Sequence, residues 1–371
     1  MIKNSRNKQD LKFISLAINL AKNNIGTTSP NPSVGVVIVK NEVILATGVT
    51  AINGRPHAEE IAITKLSTED LKDATIYISL EPCCHDRGGN LSCSDLIINS
   101  GIKKVIFAVK DPDLRTNGKS INKLQNAGIE VEYGLMENEA KEVNKGFFQT
   151  KIANRPYITA KIATTIDGKI ATKSFDSKWI SNENSRRYTN LLRAKNDAIL
   201  IGANSFQKDS PLLNCRINGL EDRSPKRIIL NKDFDLHLND KFIASCKQIP
   251  TFFIVADDFS GENKYQDITL IKSPLNNKNQ IDLSNLMIKL SNLGINNLLI
   301  EGGSQIFASF LQENLIDEII LVKGNFILGS DGISAVGNLG INLISDIENK
   351  FIIDKVKMVG EDLVMRYKIC K

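Results

Sequence analysis

The sequence predicts an α/β protein of two domains, on three observations. The 371 residues exceed one ordinary domain, so two domains with separate cores are the expectation. From Val34 to Tyr133, short apolar runs of strand type alternate with helical spacings, as in strands packed on helices. The residues able to do chemistry stand where strands end and helices begin, which is where open α/β sheets hold their ligands.

In chain order, Leu11, Ile14, Ile18, Ala21 and Ile25 recur at helical spacing, and Gly26 can close that helix. Thr28-Ser29-Pro30-Asn31-Pro32-Ser33-Val34-Gly35 follows as a rigid turn whose prolines hold Asn31 in place, although a plain turn is the simpler account. It feeds an apolar strand, Val34 to Val39, which Lys40-Asn41 turns into a second, Val43 to Gly48. A helix carrying His57 and Glu59 comes next. Ala74 to Leu80 reads as a buried strand delivering Glu81-Pro82-Cys83-Cys84-His85 at its C-terminal end. Cys93 begins another helix, Ser94 to Ser100, stopped by Gly101, and Val105 to Val109 and Ile129 to Tyr133 make two more strands.

These elements gather a His, two thiols and a carboxylate: His57, Cys83, Cys93 and Glu59. His and Cys thiolates are the ligands zinc prefers, and three of them leave a fourth position for water, whose pKa the metal lowers to about 7. Glu59, two residues past His57 at a helix start, can sit close to the metal without binding it and move protons from water to a leaving group. His-x-Glu followed by Pro-Cys is the zinc deaminase signature, except that its second Cys normally follows after two residues and here after nine. The chain has only three His, and His57 and His85 both fall inside this constellation. Cys84 in place of Cys83 or Cys93 is the alternative ligand.

The second half begins after Asn154-Arg155-Pro156. Tyr157 to Thr164 alternates as a strand, Asp167-Gly168 turns it in hairpin fashion, and Ile170-Ala171 resumes. Ser181 can cap a helix with Glu183 in its first turn, running to Ala194, before a strand from Ala198 to Ile201 that ends at Gly202-Ala203. Asn297 to Glu301 is a strand, then Gly302-Gly303, then a helix from Ser304 to Gln312. Such glycines let N–H groups at a helix start approach a phosphate, a signal that needs support from elsewhere. Leu220 to Asn292 is polar and reads as strands with variable loops.

Composition narrows the partners. Net charge is +5 and aromatics are 6%, with no basic run interleaved with aromatics, so a small anionic ligand fits better than a nucleic acid. Six Cys are too few and too unevenly placed for a disulfide scaffold, which implies a reduced, cytoplasmic setting. Met1 to Lys8 lacks the apolar core of a signal peptide, and no run approaches the length that spans a bilayer.

In both halves the motifs resemble the bifunctional riboflavin-biosynthesis deaminase/reductase family. In the first half these are the Thr28 to Gly35 turn, Pro56-His57-Ala58-Glu59, Leu80 to His85, and Asn144-Lys145-Gly146-Phe147. In the second they are Lys161 to Gly168, Ser177-Lys178-Trp179-Ile180-Ser181, Leu192-Arg193-Ala194, Asp209 to Leu213, and Ile300-Glu301-Gly302-Gly303. The resemblance implies a cytidine-deaminase-like α/β/α sandwich over residues 1–150 and a dihydrofolate-reductase-like domain over 151–371. It implies Zn2+ on His57, Cys83 and Cys93, Glu59 as the proton shuttle, and Asn31 and His85 on the substrate. In the second half Ala163, Trp179, Ser205, Asp209 and the segment Gly303, Ser304, Gln305 would face NADPH, and Ser177, Arg193, Leu213, Arg216 and Glu301 the substrate. Arg193 and Arg216 suit a sugar phosphate, surface ion pairing being the alternative. The chain departs from the family where Asp86 to Ser92 replaces a Gly-(Arg/Lys)-Thr-Pro-Pro run with one residue fewer, and where Thr50 replaces a His.

The function expected is zinc-dependent deamination of a diaminopyrimidine phosphoribosyl compound, then NADPH-dependent reduction of its ribosyl chain to ribityl, by a cytoplasmic homo-oligomer that binds neither nucleic acid nor membrane. The alternatives are a nucleic-acid base deaminase with an accessory domain, which lacks a basic single-strand platform here, and a zinc-stabilised scaffold, which needs no Glu59.

Overall fold

The computed structural model describes residues 2–85, 88–348 and 350–370. Asp86 and Arg87, part of the departing loop before Cys93, lie outside the described residues. The chain separates into two compact units, Met1–Asn154 and Arg155–Lys371.

In the first unit the elements run α1 (Ile2–Ala21), β1 (Gly35–Lys40), β2 (Val43–Val49), α2 (Ala58–Ile63), α3 (Thr68–Leu71), β3 (Thr75–Ile78), α4 (Cys93–Ser100), β4 (Lys104–Phe107), α5 (Lys119–Asn126), β5 (Glu130–Tyr133), α6 (Glu137–Val143) and α7 (Lys145–Ala153). The strands form one five-stranded sheet in the order β2-β1-β3-β4-β5. β1 pairs antiparallel with β2 and β3, while β3, β4 and β5 run parallel. The stripe that α1 buries is Phe13, Ile14, Ala17, Ile18 and Ala21. Leu11, expected on that face, is 39% exposed. The 3.6-residue repeat carries the stripe back through Asp10 instead, whose carboxylate accepts a hydrogen bond from the Tyr77 hydroxyl at 2.6 Å. The helix also ends at Ala21, short of Gly26, and a 3-10 turn over Lys22–Asn24 follows.

Close packing sets α2 on the sheet. A Cβ on Gly48 would stand 2.0 Å from the Ala58 carbonyl oxygen, so only glycine lets the start of α2 lie directly on β2. This fixes the height of His57 and Glu59 above the sheet.

In the second unit the elements are β6 (Tyr157–Thr164), β7 (Lys169–Ala171), α8 (Glu183–Ala194), β8 (Ala198–Gly202), α9 (Ala203–Asp209), β9 (Lys226–Leu230), α10 (Asp240–Cys246), β10 (Thr251–Ala256), β11 (Ile268–Ser273), α11 (Leu283–Asn292), β12 (Asn297–Ile300), α12 (Ser304–Gln312), β13 (Glu318–Lys323), β14 (Ile333–Ser334), β15 (Phe351–Val359) and β16 (Asp362–Ile369). A nine-stranded sheet runs β11-β10-β9-β8-β12-β6-β13-β16-β15. It is parallel from β11 to β13, and β16 and β15 add on antiparallel.

Three expectations change here. The Asp167-Gly168 turn forms, with the Gly168 N–H donating to the Thr165 carbonyl at 3.1 Å, but β7 pairs with β14 rather than continuing as a hairpin arm. The cap of α8 is Asn182, not Ser181: its side chain accepts from the Ser185 N–H at 2.9 Å. The polar stretch from Leu220 to Asn292 holds two helices besides its strands, α10 capped by Asn239 and α11 capped by Asp282.

Candidate active sites

The first site gathers at the start of α2, the end of β3 and the start of α4. His57 is the N-cap residue of α2 in extended conformation, so its ring leaves the helix sideways while Glu59 lies in the first turn. Cys83 follows β3, and Cys93 opens α4 behind a Ser92 cap. His57 Nδ1 is 3.3 Å from Cys93 Sγ and 3.7 Å from Cys83 Sγ, and all three donor atoms lie within 4.8 Å of one another. A tetrahedral zinc with the usual Zn–N and Zn–S bonds places such N and S atoms about 3.5 Å apart. The donor set therefore fits the metal. The Cys93 thiol and the His57 ring hydrogen-bond to Cys83 and hold it well below the ordinary thiol range against the opposing effect of burial, which favours the thiolate that zinc binds.

Glu59 is 3% exposed. Burial raises its carboxyl above the ordinary range, and the charge of His57 opposes that shift, so the group can take up and release a proton beside the three donors. Asn31 donates its amide N–H to the Gly54 carbonyl at 3.0 Å, and His85 Nδ1 pairs with the Thr116 hydroxyl at 3.1 Å. Thr50 is 1% exposed, and its hydroxyl accepts from the Val34 N–H at 2.9 Å; here it serves the β1–β2 pair. Cys84 Sγ points instead to the Arg115 carbonyl, 3.7 Å away.

One anchor was missed by the sequence reading. Glu81, 2% exposed, accepts hydrogen bonds from the Asp111 N–H at 3.1 Å, the Gly118 N–H at 3.0 Å and the Ser120 hydroxyl at 2.6 Å. It ties the β4–α5 loop to the end of β3. Its partners lie 30 to 39 residues away, so no local pattern could reveal them.

The second site is a cavity of about 650 Å³ within the second unit. The expected residues Ala163, Trp179, Ser205, Asp209, Gly303, Ser304 and Gln305 line it, as do Ser177, Arg193, Arg216 and Glu301. Leu213 does not; its side chain is buried in a core cluster with Ile199, Phe206 and Phe242. Arg193 and Glu301 form a bidentate pair, Nε to Oε1 and Nη2 to Oε2 both at 2.8 Å. Burial pushes the Glu301 carboxyl up, yet Arg193, with Lys161 and Arg216, brings it net below its ordinary range. Part of the substrate role expected of both residues is thus taken up by holding each other in place.

At the start of α12 Gly303 is the N-cap, with no side chain to cap the helix, and Gly303, Ser304 and Gln305 line the cavity; an uncapped helix start bordering a cavity is a place where an anion is welcome. A Cβ on Gly303 would stand 2.9 Å from Ser205 Oγ, which ties that approach to glycine. The sequence reading missed Lys161, a cavity-lining residue of β6 that burial holds below the ordinary lysine range while Glu301 opposes the shift. It also missed Asn190, whose Oδ1 accepts from the Arg216 N–H at 3.0 Å.

Comparison with known proteins finds a deaminase region and a reductase domain in the same order along the chain. Residues 7–109 match the cytidine and deoxycytidylate deaminase zinc-binding region, and residues 156–365 match the RibD C-terminal domain. The riboflavin biosynthesis protein RibD of Aquifex aeolicus is 40% identical over 97% of this chain and 98% of its own length. The structure of Acinetobacter baumannii RibD superposes with a TM-score of 0.88 at 30% identity, covering 98% of this chain and all of that one. A Thermotoga maritima diaminohydroxyphosphoribosylaminopyrimidine deaminase/5-amino-6-(5-phosphoribosylamino)uracil reductase superposes at 0.86 with the same identity and coverage of this chain. With a cytidine-deaminase-like unit holding a zinc-type donor set and a reductase unit built around a nucleotide-sized cavity, the chain belongs to the RibD family of bifunctional, zinc- and NADPH-dependent deaminase/reductases of riboflavin biosynthesis.

Proposed function

We propose that His57, Cys83 and Cys93 hold the zinc of the deamination step, that Glu59 carries its protons, and that the cavity of the second unit takes NADPH and the ribosyl phosphate. The observation that carries this reading is the convergence of three metal donors beside a buried carboxylate. Zinc, when bound there, supplies an activated water. Glu59 would take a proton from that water as its oxygen adds to the amino-bearing carbon and pass it to the ring nitrogen, then move the second water proton to the amino group, which leaves as ammonia as the C–N bond breaks and the carbonyl forms. Asn31 and His85 orient the pyrimidine.

In the second unit, NADPH when bound supplies a hydride to the ribosyl carbon. The N–H groups of Ser304 and Gln305 and the side chains of Ala163, Trp179, Ser205 and Asp209 hold the cofactor, while Ser177, Arg193, Arg216 and Glu301 hold the substrate. Lys161 is placed to give the proton that accompanies ring opening, since a desolvated ammonium releases its proton more readily. Deamination is assigned to residues 1–150 and reduction to 151–371. The substrate is a small pyrimidine ribosyl phosphate rather than a nucleic acid, consistent with a net charge of only +5, and the reading carries with it a cytoplasmic homo-oligomer.

Glu59→Gln tests the centre of the reading. It keeps the shape and removes the proton carrier, so ammonia release falls at least ~100-fold with zinc retained. Near-normal deamination in that variant removes Glu59 from the mechanism.

A further inference from the structure

We propose that Arg115 is a substrate-binding residue of the deamination site and receives the phosphate of the pyrimidine ribosyl phosphate. This rests on the reading of His57, Cys83, Cys93 and Glu59 as the deamination centre and adds to it a second point of attachment, on the β4–α5 loop.

The location comes first. The segment Asp113 to Thr116 lies against the residues that follow Cys83: the Cys84 thiol points to the Arg115 carbonyl at 3.7 Å, and the Thr116 hydroxyl pairs with His85 Nδ1 at 3.1 Å. Arg115 therefore belongs to the loop segment that packs against Cys84 and His85, directly after the donor Cys83.

The side chain is also held in place. Asp113 accepts from Arg115 Nε at 3.0 Å and from Nη2 at 2.7 Å, and the same carboxylate accepts the Arg115 backbone N–H at 3.0 Å. Asp113 is itself nearly buried, 9% exposed against 63% for the Arg115 side chain. A buried acid thus grips one edge of the guanidinium, while Nη1 makes no hydrogen bond among the described residues. Holding the fork in advance lowers the entropy lost when an anion binds, and the fork geometry suits phosphate.

Charge counting agrees. Asp113 is shared with Lys151 at 2.9 Å, so two cations face one carboxylate. The neighbouring Asp111 is pushed up to about 7 by burial and so carries less than a full negative charge near neutrality. An arginine engaged only in surface pairing needs neither a buried partner nor a second cation on it.

The test uses the full-length, zinc-loaded protein and two substrates, the phosphorylated pyrimidine riboside and its dephosphorylated form, with ammonia release as the readout. For the wild type, removing the phosphate raises KM about 10- to 100-fold, the range of a hydrogen bond to a charged group. Arg115→Met raises KM for the phosphorylated substrate by the same factor, leaves kcat near normal as for loss of uniform binding, and does not change KM for the dephosphorylated one. Arg115→Lys recovers part of the loss. Unchanged KM for the phosphorylated substrate, or an equal rise for both, overturns the assignment; zinc content shows whether the site is still formed. If the wild type releases ammonia from neither substrate, the deaminase reading falls and this proposal falls with it.

Discussion

At the scale of single residues, the proposed zinc donors separate from their neighbour by geometry. Cys83 and Cys93 meet His57, while Cys84 turns to a backbone carbonyl and burial raises its thiol above the ordinary range. Cys93→Ser should lose most of the bound zinc and Cys84→Ser should keep it; metal analysis of the two purified variants decides, and the reverse result moves the site to Cys84. A second residue, Asp111, makes stability depend on pH. Burial raises its carboxyl from 3.8 to about 7. Below pH 3.8 it is protonated folded or unfolded; between there and 7 the folded state binds the extra proton, so stability falls as pH rises through that window and the penalty is complete above it. Each unit is worth about 1.4 kcal/mol, which bounds the effect at a few kcal/mol. Asp111→Asn keeps an acceptor for the Asp113 N–H and should unfold at a higher temperature than the wild type at pH 8, with the gap closing by pH 4. An equal gap at both pH values would rule the carboxyl out as its source.

At the scale of elements, caps and apolar stripes were the readable part, and contacts between distant segments were not. The strands of the first unit, the Ser304–Gln312 helix and the Cys93 helix start all carry local signals. So did α11, where Leu283, Leu286, Met287 and Leu290 form a buried stripe behind the Asp282 cap, but its polar flanks hid it. The opposite case is the Arg193–Glu301 pair, 108 residues apart: both residues carry family motifs, yet nothing local says that they hold each other. Cap choice can be tested at α8. Asn182 caps it and also donates to the Val359 carbonyl at 2.8 Å, so Asn182→Ala should cost about 1 kcal/mol or somewhat more. Ser181→Ala, at the cap expected from the sequence, removes a buried hydroxyl that makes no hydrogen bond among the described residues and should cost less than Asn182→Ala. Urea unfolding of both variants checks the order, and a larger loss at Ser181 would return the cap to the residue first expected.

At the scale of the whole molecule, the chain joins two reactions on residues that do not overlap. The groups assigned to deamination run from Asn31 to Arg115 and those assigned to reduction from Lys161 to Gln305. The buried clusters are separate as well: the core from Phe13 to Phe147 belongs to the first unit, and those from Ile158 onward belong to the second. The two chemistries should therefore fail separately. Glu59→Gln should still oxidise NADPH when given the already deaminated pyrimidine. For the converse, Glu301→Ala is a poor probe, because it strands Arg193 as an unpaired, nearly buried cation at a cost of about 3 kcal/mol or more. Arg216 is better placed: it lines the cavity with its side chain exposed, and among the described residues its hydrogen bonding is through the backbone N–H, to Asn190. Arg216→Met should slow reduction at limiting substrate about 10- to 100-fold through a lost phosphate contact, with ammonia release from the first substrate unchanged. Measuring both variants on both substrates gives four rates. If either substitution depresses both reactions in folded, zinc-containing protein, the sites are coupled and the division of labour drawn here is wrong.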